Sequence, residues 1–218
     1  MESETTRVEF FSDAVFAIAI TLLILDLKVP PREERLVAAL FHQWPSYVAF
    51  LVSFANIGIM WINHHRMFTY IKRSNDVLLL LNLLLLLGVT VIPFPTATLA
   101  EHMRSPDQRI AALIYNATFV YIAMAFNGLW RYAAGHHLLY EGKRAPVFSK
   151  FNRRALAPVL YLICFIIAWF DARASIMTNA AIAAFFALAP GLMEKRASFL
   201  HPEMNQGESV TPPPPPLQ

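Results

Sequence analysis

Few residues in this sequence have chemistry to offer beyond filling an apolar interior, and most of them cluster near the front of the chain. Ser12-Asp13 stands at the head of an apolar run. Thr21 is the lone polar residue between Asp13 and Asp26, and His64-His65 follows Trp61 further along. A carboxylate and imidazoles at one depth in a bilayer could relay protons; more simply, they lock helices together through hydrogen bonds. His64 and His65 make a poor metal pair, because adjacent helical residues point about 100° apart and no third ligand is evident. The single cysteine, Cys164, sits in an apolar stretch, which excludes an intrachain disulfide and a cysteine-based metal site and reads as a small buried hydrophobe. No nucleophile–base pair occurs at useful spacing, so an intramembrane enzyme ranks last among the function classes.

The elements that must hold these residues are set by composition. Of 218 residues, 56% are hydrophobic and 15% charged, and the mean hydropathy is +0.45. A soluble domain carries about 25% charged residues, so the chain is expected to be an all-α protein of several membrane spans. A span needs about 20 mostly apolar residues. Six stretches qualify, at 8–28, 45–68, 77–99, 110–135, 154–170 and 174–193, forming one membrane domain over 1–200. Pro30-Pro31 stops the first helix, Pro45 starts the second, Pro93 and Pro95 kink the third, and Asp171 with Arg173 turns the fifth into the sixth. The segment 201–218 is polar and ends in a proline run, which predicts a disordered or polyproline II tail.

The net charge of +3 and pI of about 9.1 are read as loop bias and not as a nucleic-acid surface. Placing the N-terminus, the second and fourth connections and the C-terminus on one side puts twelve of the 18 basic residues there and six opposite. By the positive-inside rule both termini are cytoplasmic. The acidic start, Glu2 and Glu4 without a basic stretch, argues against a removable signal peptide.

Within the first helix, angle separates two roles. At about 100° per residue, Phe11, Ala14, Ile18, Leu22 and Leu25 share one stripe, with Thr21 about 60° from Ile18 and Ser12 and Asp13 roughly 120–140° away. The second helix returns to the level of Ser12 and Asp13, carrying Trp61, His64, His65 and Arg66. The third begins nearby with Asn75, Asp76 and then Asn82. The expected network joins Ser12 and Asp13 to His64 or His65 and to Asn82. Trp61 is expected to lie deeper than Trp44, Trp130 and Trp169, which are placed at the interfaces.

Arg7-Val8-Glu9-Phe10-Phe11-Ser12-Asp13, continuing through Ala14-Val15-Phe16-Ala17-Ile18-Ala19-Ile20-Thr21 to Leu27-Lys28-Val29-Pro30, resembles the R-x-x-x-F-S-D signature and first helix of the transmembrane protein 175 family of potassium channels. The six-span plan extends the likeness over roughly residues 7–195. The resemblance implies a bacterial-type homotetramer with one six-helix repeat per chain and a central pore lined by the first helices. It implies a constriction at Ile18, potassium preference at Thr21, apolar layers at Leu22 and Leu25, and no cofactor beyond the permeant potassium ion near Thr21. It also implies that Phe11, Ser12 and Asp13, with Arg7 opening the motif, hold the first helix against Trp61, His64 or His65, and Asn82. Four Ile18 side chains on an axis would form a dewetting constriction. A secondary transporter, proton-coupled through Asp13 and the histidines, is the alternative reading; the sequence lacks an evident inverted repeat or mid-membrane charge to support it.

Overall fold

The structure, a computed structural model, describes residues 5–31, 35–140 and 153–184, with the side chains of 153–155 excepted. It is all-helical. α1 (Thr6–Leu22) tightens into a 3-10 turn (Leu23–Asp26); α2 (Leu36–His42) and α3 (Trp44–Phe68) follow; then come α4 (Asp76–Val91), α5 (Pro93–His102), α6 (Gln108–Gly135) and α7 (Arg153–Phe170). A last helix, α8, runs over 172–184. Among the described residues four stretches are long and apolar enough to cross a bilayer: 6–26, 44–68, 76–102 and 108–135. The expected tail 201–218, the far part of the sixth stretch, and Lys143, Arg144, Lys150, Lys195 and Arg196 lie outside the described residues.

Three boundaries differ from the sequence expectation. The first helix stops short of Lys28, because Leu27 is already extended at φ −83° and ψ 97°, in line with the Pro30-Pro31 that follows. The third stretch runs on to His102 and bends at Pro93 as expected, with Ile92, between α4 and α5, still helical at φ −49° and ψ −41°. Pro93 has no N–H to offer the Val89 carbonyl, which accepts instead from the Ile92 N–H at 3.2 Å, and beyond the break the Ile92 carbonyl accepts from both the backbone N–H (3.1 Å) and the hydroxyl (2.8 Å) of Thr96. The connection after the first helix holds the short α2, with Leu36, Val37, Leu40 and Phe41 exposed.

α1 packs on α3 and α4, α4 and α5 on α6, α5 on α3, and α6 on α7. The α4–α6 contact depends on Gly88: a Cβ there would sit 2.6 Å from Ile122 and 2.8 Å from the ring of Tyr121. At one end of the bundle, the turn after α3 and the chain after α6 are stapled by the isolated bridge Ile71–Leu139. Lys72 N–H and Arg73 N–H both donate to the Leu138 carbonyl, at 2.8 and 3.3 Å, and Tyr140 N–H donates to the Tyr70 carbonyl at 3.1 Å.

Candidate functional site: the first helix and its anchors

α1 has two unlike faces. Ser12, Phe16, Ala19 and Leu23 are buried against α3 and α4. Phe11 (54% exposed), Ile18 (58%), Leu22 (39%) and Leu25 (71%) point out of the chain. Thr21 is on the exposed side too. Its hydroxyl donates back to the carbonyls of Ile18 at 2.9 Å and Ala17 at 3.1 Å. The one hydroxyl proton is thus committed to the helix, and the oxygen lone pairs are what Thr21 presents outward.

The buried face is anchored by a short directional chain of hydrogen bonds. Ser12 Oγ donates to the Val8 carbonyl at 2.7 Å, so its oxygen can only accept from Asn82 Nδ2, at 3.0 Å. That fixes the Asn82 amide with its oxygen toward His64 Nε2, 2.9 Å away, and places a proton on that nitrogen. The His64 ring lies among Phe16, Phe68 and Phe126, stacked on Phe68 at 4.5 Å between centroids. In lipid, helices gain little from burying apolar surface against one another, so bonds of this kind and close packing carry the association.

Asp13 goes elsewhere. Its Oδ1 accepts from Trp61 Nε1 at 2.9 Å, and His65 stacks on the Trp61 indole at 6.3 Å. The expected carboxylate–imidazole pairing is therefore corrected: among the described residues neither His64 nor His65 hydrogen-bonds Asp13. Trp61 serves there as a hydrogen-bond donor, with its indole 42% exposed along the helix surface. Trp130 is buried, edge-on to Tyr70, in the last two turns of α6. Arg7 is exposed in the first turn of α1.

At its other end α1 is tied by an exposed ion pair, Lys28 with Glu101 of α5. The Glu101 carboxylate holds the Lys28 ammonium above the usual lysine range. Asp26 Oδ2 is the one enclosed side-chain oxygen without a partner among the described residues. It borders a cavity of about 200 Å³ shared with Leu25, Gln43, Ser46 and Glu101, roomy enough for water.

A second polar system escaped the sequence reading altogether. The Thr96 proton is committed to Ile92, so Ser53 Oγ donates to Thr96 at 2.8 Å and Tyr115 O–H donates to Ser53 at 3.0 Å. Beside it, Tyr161 O–H donates to Asn56 Oδ1 (2.8 Å) and Asn56 Nδ2 to Asn179 Oδ1 (2.8 Å). Asn116 Nδ2 donates to Ser175 Oγ (2.8 Å), which ends the run on the Cys164 carbonyl (2.8 Å). The signal available was three asparagines inside apolar stretches. Among the described residues no group of three His, Cys, Asp or Glu side chains is arranged to hold a metal.

The family model described as "Endosomal/lysosomal potassium channel TMEM175" matches residues 7–93. A protein named as a potassium channel in Chamaesiphon minutus is 44% identical over 193 residues, covering 86% of this chain and 95% of that protein. One so named in Streptomyces collinus is 53% identical over 131 residues, covering 59% of this chain and 64% of that protein. The crystal structure of a lysosomal potassium-selective channel TMEM175 homolog from Chamaesiphon minutus superimposes with a TM-score of 0.77 at 42% identity, covering 86% of this chain and 98% of that one.

Proposed function

The chain belongs to the TMEM175 family, a family of membrane ion channels and not of enzymes, and from that premise we propose that it conducts potassium along a central axis lined by α1. The supporting observation is the face α1 leaves unused. It buries less of itself within the chain than the other three long helices do, and the residues it presents outward are Ile18, Leu22 and Leu25 beside the lone pairs of Thr21.

In this reading six helices per chain cross the membrane, α7 and α8 supplying the fifth and sixth, with both termini cytoplasmic in the cell membrane. Four copies close around the axis, because a chain with one candidate pore helix makes a ring only by cyclic assembly. Ile18 forms the constriction, where a narrow apolar ring excludes water. The Thr21 oxygens accept contact from a partly dehydrated potassium ion next to it, and Leu22 and Leu25 continue the apolar lining. No cofactor is needed. Phe11, Ser12 and Asp13 serve as the motif that sets the rotation of α1, through Asn82, His64 and Trp61, with His65 supporting the Trp61 ring and Arg7 in the opening turn.

The transporter alternative draws no support from the site. The proton relay it would use needs a carboxylate facing an imidazole, whereas Asp13 is bonded to Trp61 and His64 to Asn82.

Potassium and sodium flux into liposomes tests the proposal. Wild type is expected to pass potassium faster, and Ile18→Asn to raise flux several-fold while narrowing the preference. Absence of cation flux, or conduction indifferent to Ile18, overturns the pore assignment. Flux that saturates at low substrate and follows a pH gradient would favour the transporter.

A further inference from the structure

The backbone staple between the α3–α4 turn and the end of α6 plays no part in the proposed pore, and it does something specific to charge. Lys72 and Arg73 donate their amides to the same Leu138 carbonyl, which places both of them next to His136 and His137. A second tie holds the same region: Asn75 Nδ2 donates to Tyr132 O–H at 3.0 Å, and the Tyr132 ring stacks on His136 at 4.0 Å. Two loops distant in sequence thus become one fixed ledge. Its exposed side carries Lys72, Arg73, His136 and His137, with Arg131 one turn back on α6. No ion pair is formed by Lys72, Arg73 or Arg131 among the described residues. Asp76, the one acid among the described residues of the two stretches, is exposed in the first turn of α4.

The depth of the ledge indicates the partner. Tyr70, Tyr132 and Tyr140 are half-buried in the same two stretches, and Tyr70 packs edge-on to Trp130 at 6.2 Å. Tyrosines and tryptophans gather where a bilayer meets water. Unpaired cations fixed at that level face lipid headgroups, and a phosphodiester supplies the acceptor oxygens that Lys and Arg lack. Orientation in the membrane needs only loop charge, in any conformation. It does not require loops stapled by three backbone hydrogen bonds, and preorganisation of this kind favours a bound anion by reducing the ordering cost.

We propose that the ledge formed by Lys72, Arg73, His136 and His137 is a binding site for the phosphodiester headgroup of an anionic phospholipid. The proposal goes beyond ion conduction and requires only that the protein sits in a membrane.

The test is lipid retention by the intact protein. The protein is reconstituted in phosphatidylcholine vesicles containing a minority of phosphatidylglycerol, re-extracted in neutral detergent, and weighed by native mass spectrometry. Wild type should keep phosphatidylglycerol well above its share of the mixture, and Lys72→Gln/Arg73→Gln should lower that enrichment several-fold. Arg109→Gln, on the other end of α6, should leave it unchanged. A double variant that retains as much phosphatidylglycerol as wild type overturns the proposal. Should that variant not fold, wild type alone decides: retention must fall steeply as ionic strength rises from about 0.05 to about 0.5 M, and indifference to salt overturns the site. Inorganic phosphate added at extraction separates sources, since displacement at millimolar levels would make this a small-anion site and refute the lipid assignment. Potassium flux from the same vesicles is read in parallel, so loss of lipid enrichment with flux intact and loss of flux with enrichment intact point to different failures.

Discussion

The two buried polar systems of this protein sit in the same bundle and are built on different logic. The system behind α1 is sparse: Ser12 and His64 make one bond each between helices, both to Asn82, and it contains a group that can titrate. The system among α3, α5, α6, α7 and α8 is dense and wholly neutral, with Asn56, Asn116 and Asn179 each engaged more than once. Both end on backbone carbonyls, and among the described residues neither leaves a buried side-chain polar atom without a partner. The difference corresponds to what each holds. The dense system ties helices that already pack on one another and so fixes a scaffold. The sparse one ties a helix that is mostly exposed, and so determines which way that helix is turned.

Substitutions can break this contrast or sharpen it. The largest loss of stability is expected from Asn56→Leu, which strips partners from the Tyr161 hydroxyl and the Asn179 carbonyl oxygen together. At about 1–3 kcal/mol for each orphaned group, the unfolding free energy in mixed micelles should fall by about 2–4 kcal/mol. Protein that remains folded should keep wild-type ion preference. Asn82→Leu orphans the His64 N–H and should cost less, about 1–3 kcal/mol, yet it should change the potassium-to-sodium flux ratio, because Ser12 no longer fixes the turn of α1. If Asn56→Leu moved selectivity and Asn82→Leu did not, the assignment of roles would be reversed. Trp61→Phe is expected to do least, since its bond to Asp13 is exposed to competition: below about 1 kcal/mol in the same unfolding measurement, with a small change in flux. An effect equal to that of Asn82→Leu would make Asp13 the principal anchor.

How far the sequence reaches is clearest at these same residues. The division of α1 into a polar side and an Ile18 side followed from helical angle alone, because rotation about a helix axis is fixed by chain geometry. Depth along the helices was enough to bring Trp61, His64 and Asn82 near Ser12. Which of them bonds to which was not legible: Asp13 reaches Trp61 through rotamers that spacing does not encode. The bend at Pro93 was legible because proline lacks the N–H the ladder needs, but that the Val89 carbonyl turns to the Ile92 N–H instead was not. α2 was missed because a run holding Pro30, Pro31 and the charges that follow reads as a loop. The dense network was missed for a different reason. Its members lie on five helices with no common spacing, and an asparagine in an apolar run shows that a partner exists without showing where.

The way α1 is attached also makes it a lever. Its inner end is held at Ser12 by buried bonds, and its far end by the packing of buried Leu23 against neighbouring helices and by the exposed Lys28–Glu101 pair, which water and salt weaken. Directional buried bonds are confined to the Ser12 end, so a tilt of such a rod would pivot there. At about 1.5 Å per residue, Ile18 lies about 9 Å from that pivot and Leu25 about 20 Å. A tilt of about 5° therefore displaces Ile18 by about 0.8 Å and Leu25 by roughly twice as much. In the proposed pore the side chains nearest the pivot would hold their radius while those farther along sweep, so a ring at Ile18 would stay tight through tilts that already widen the layers beyond it.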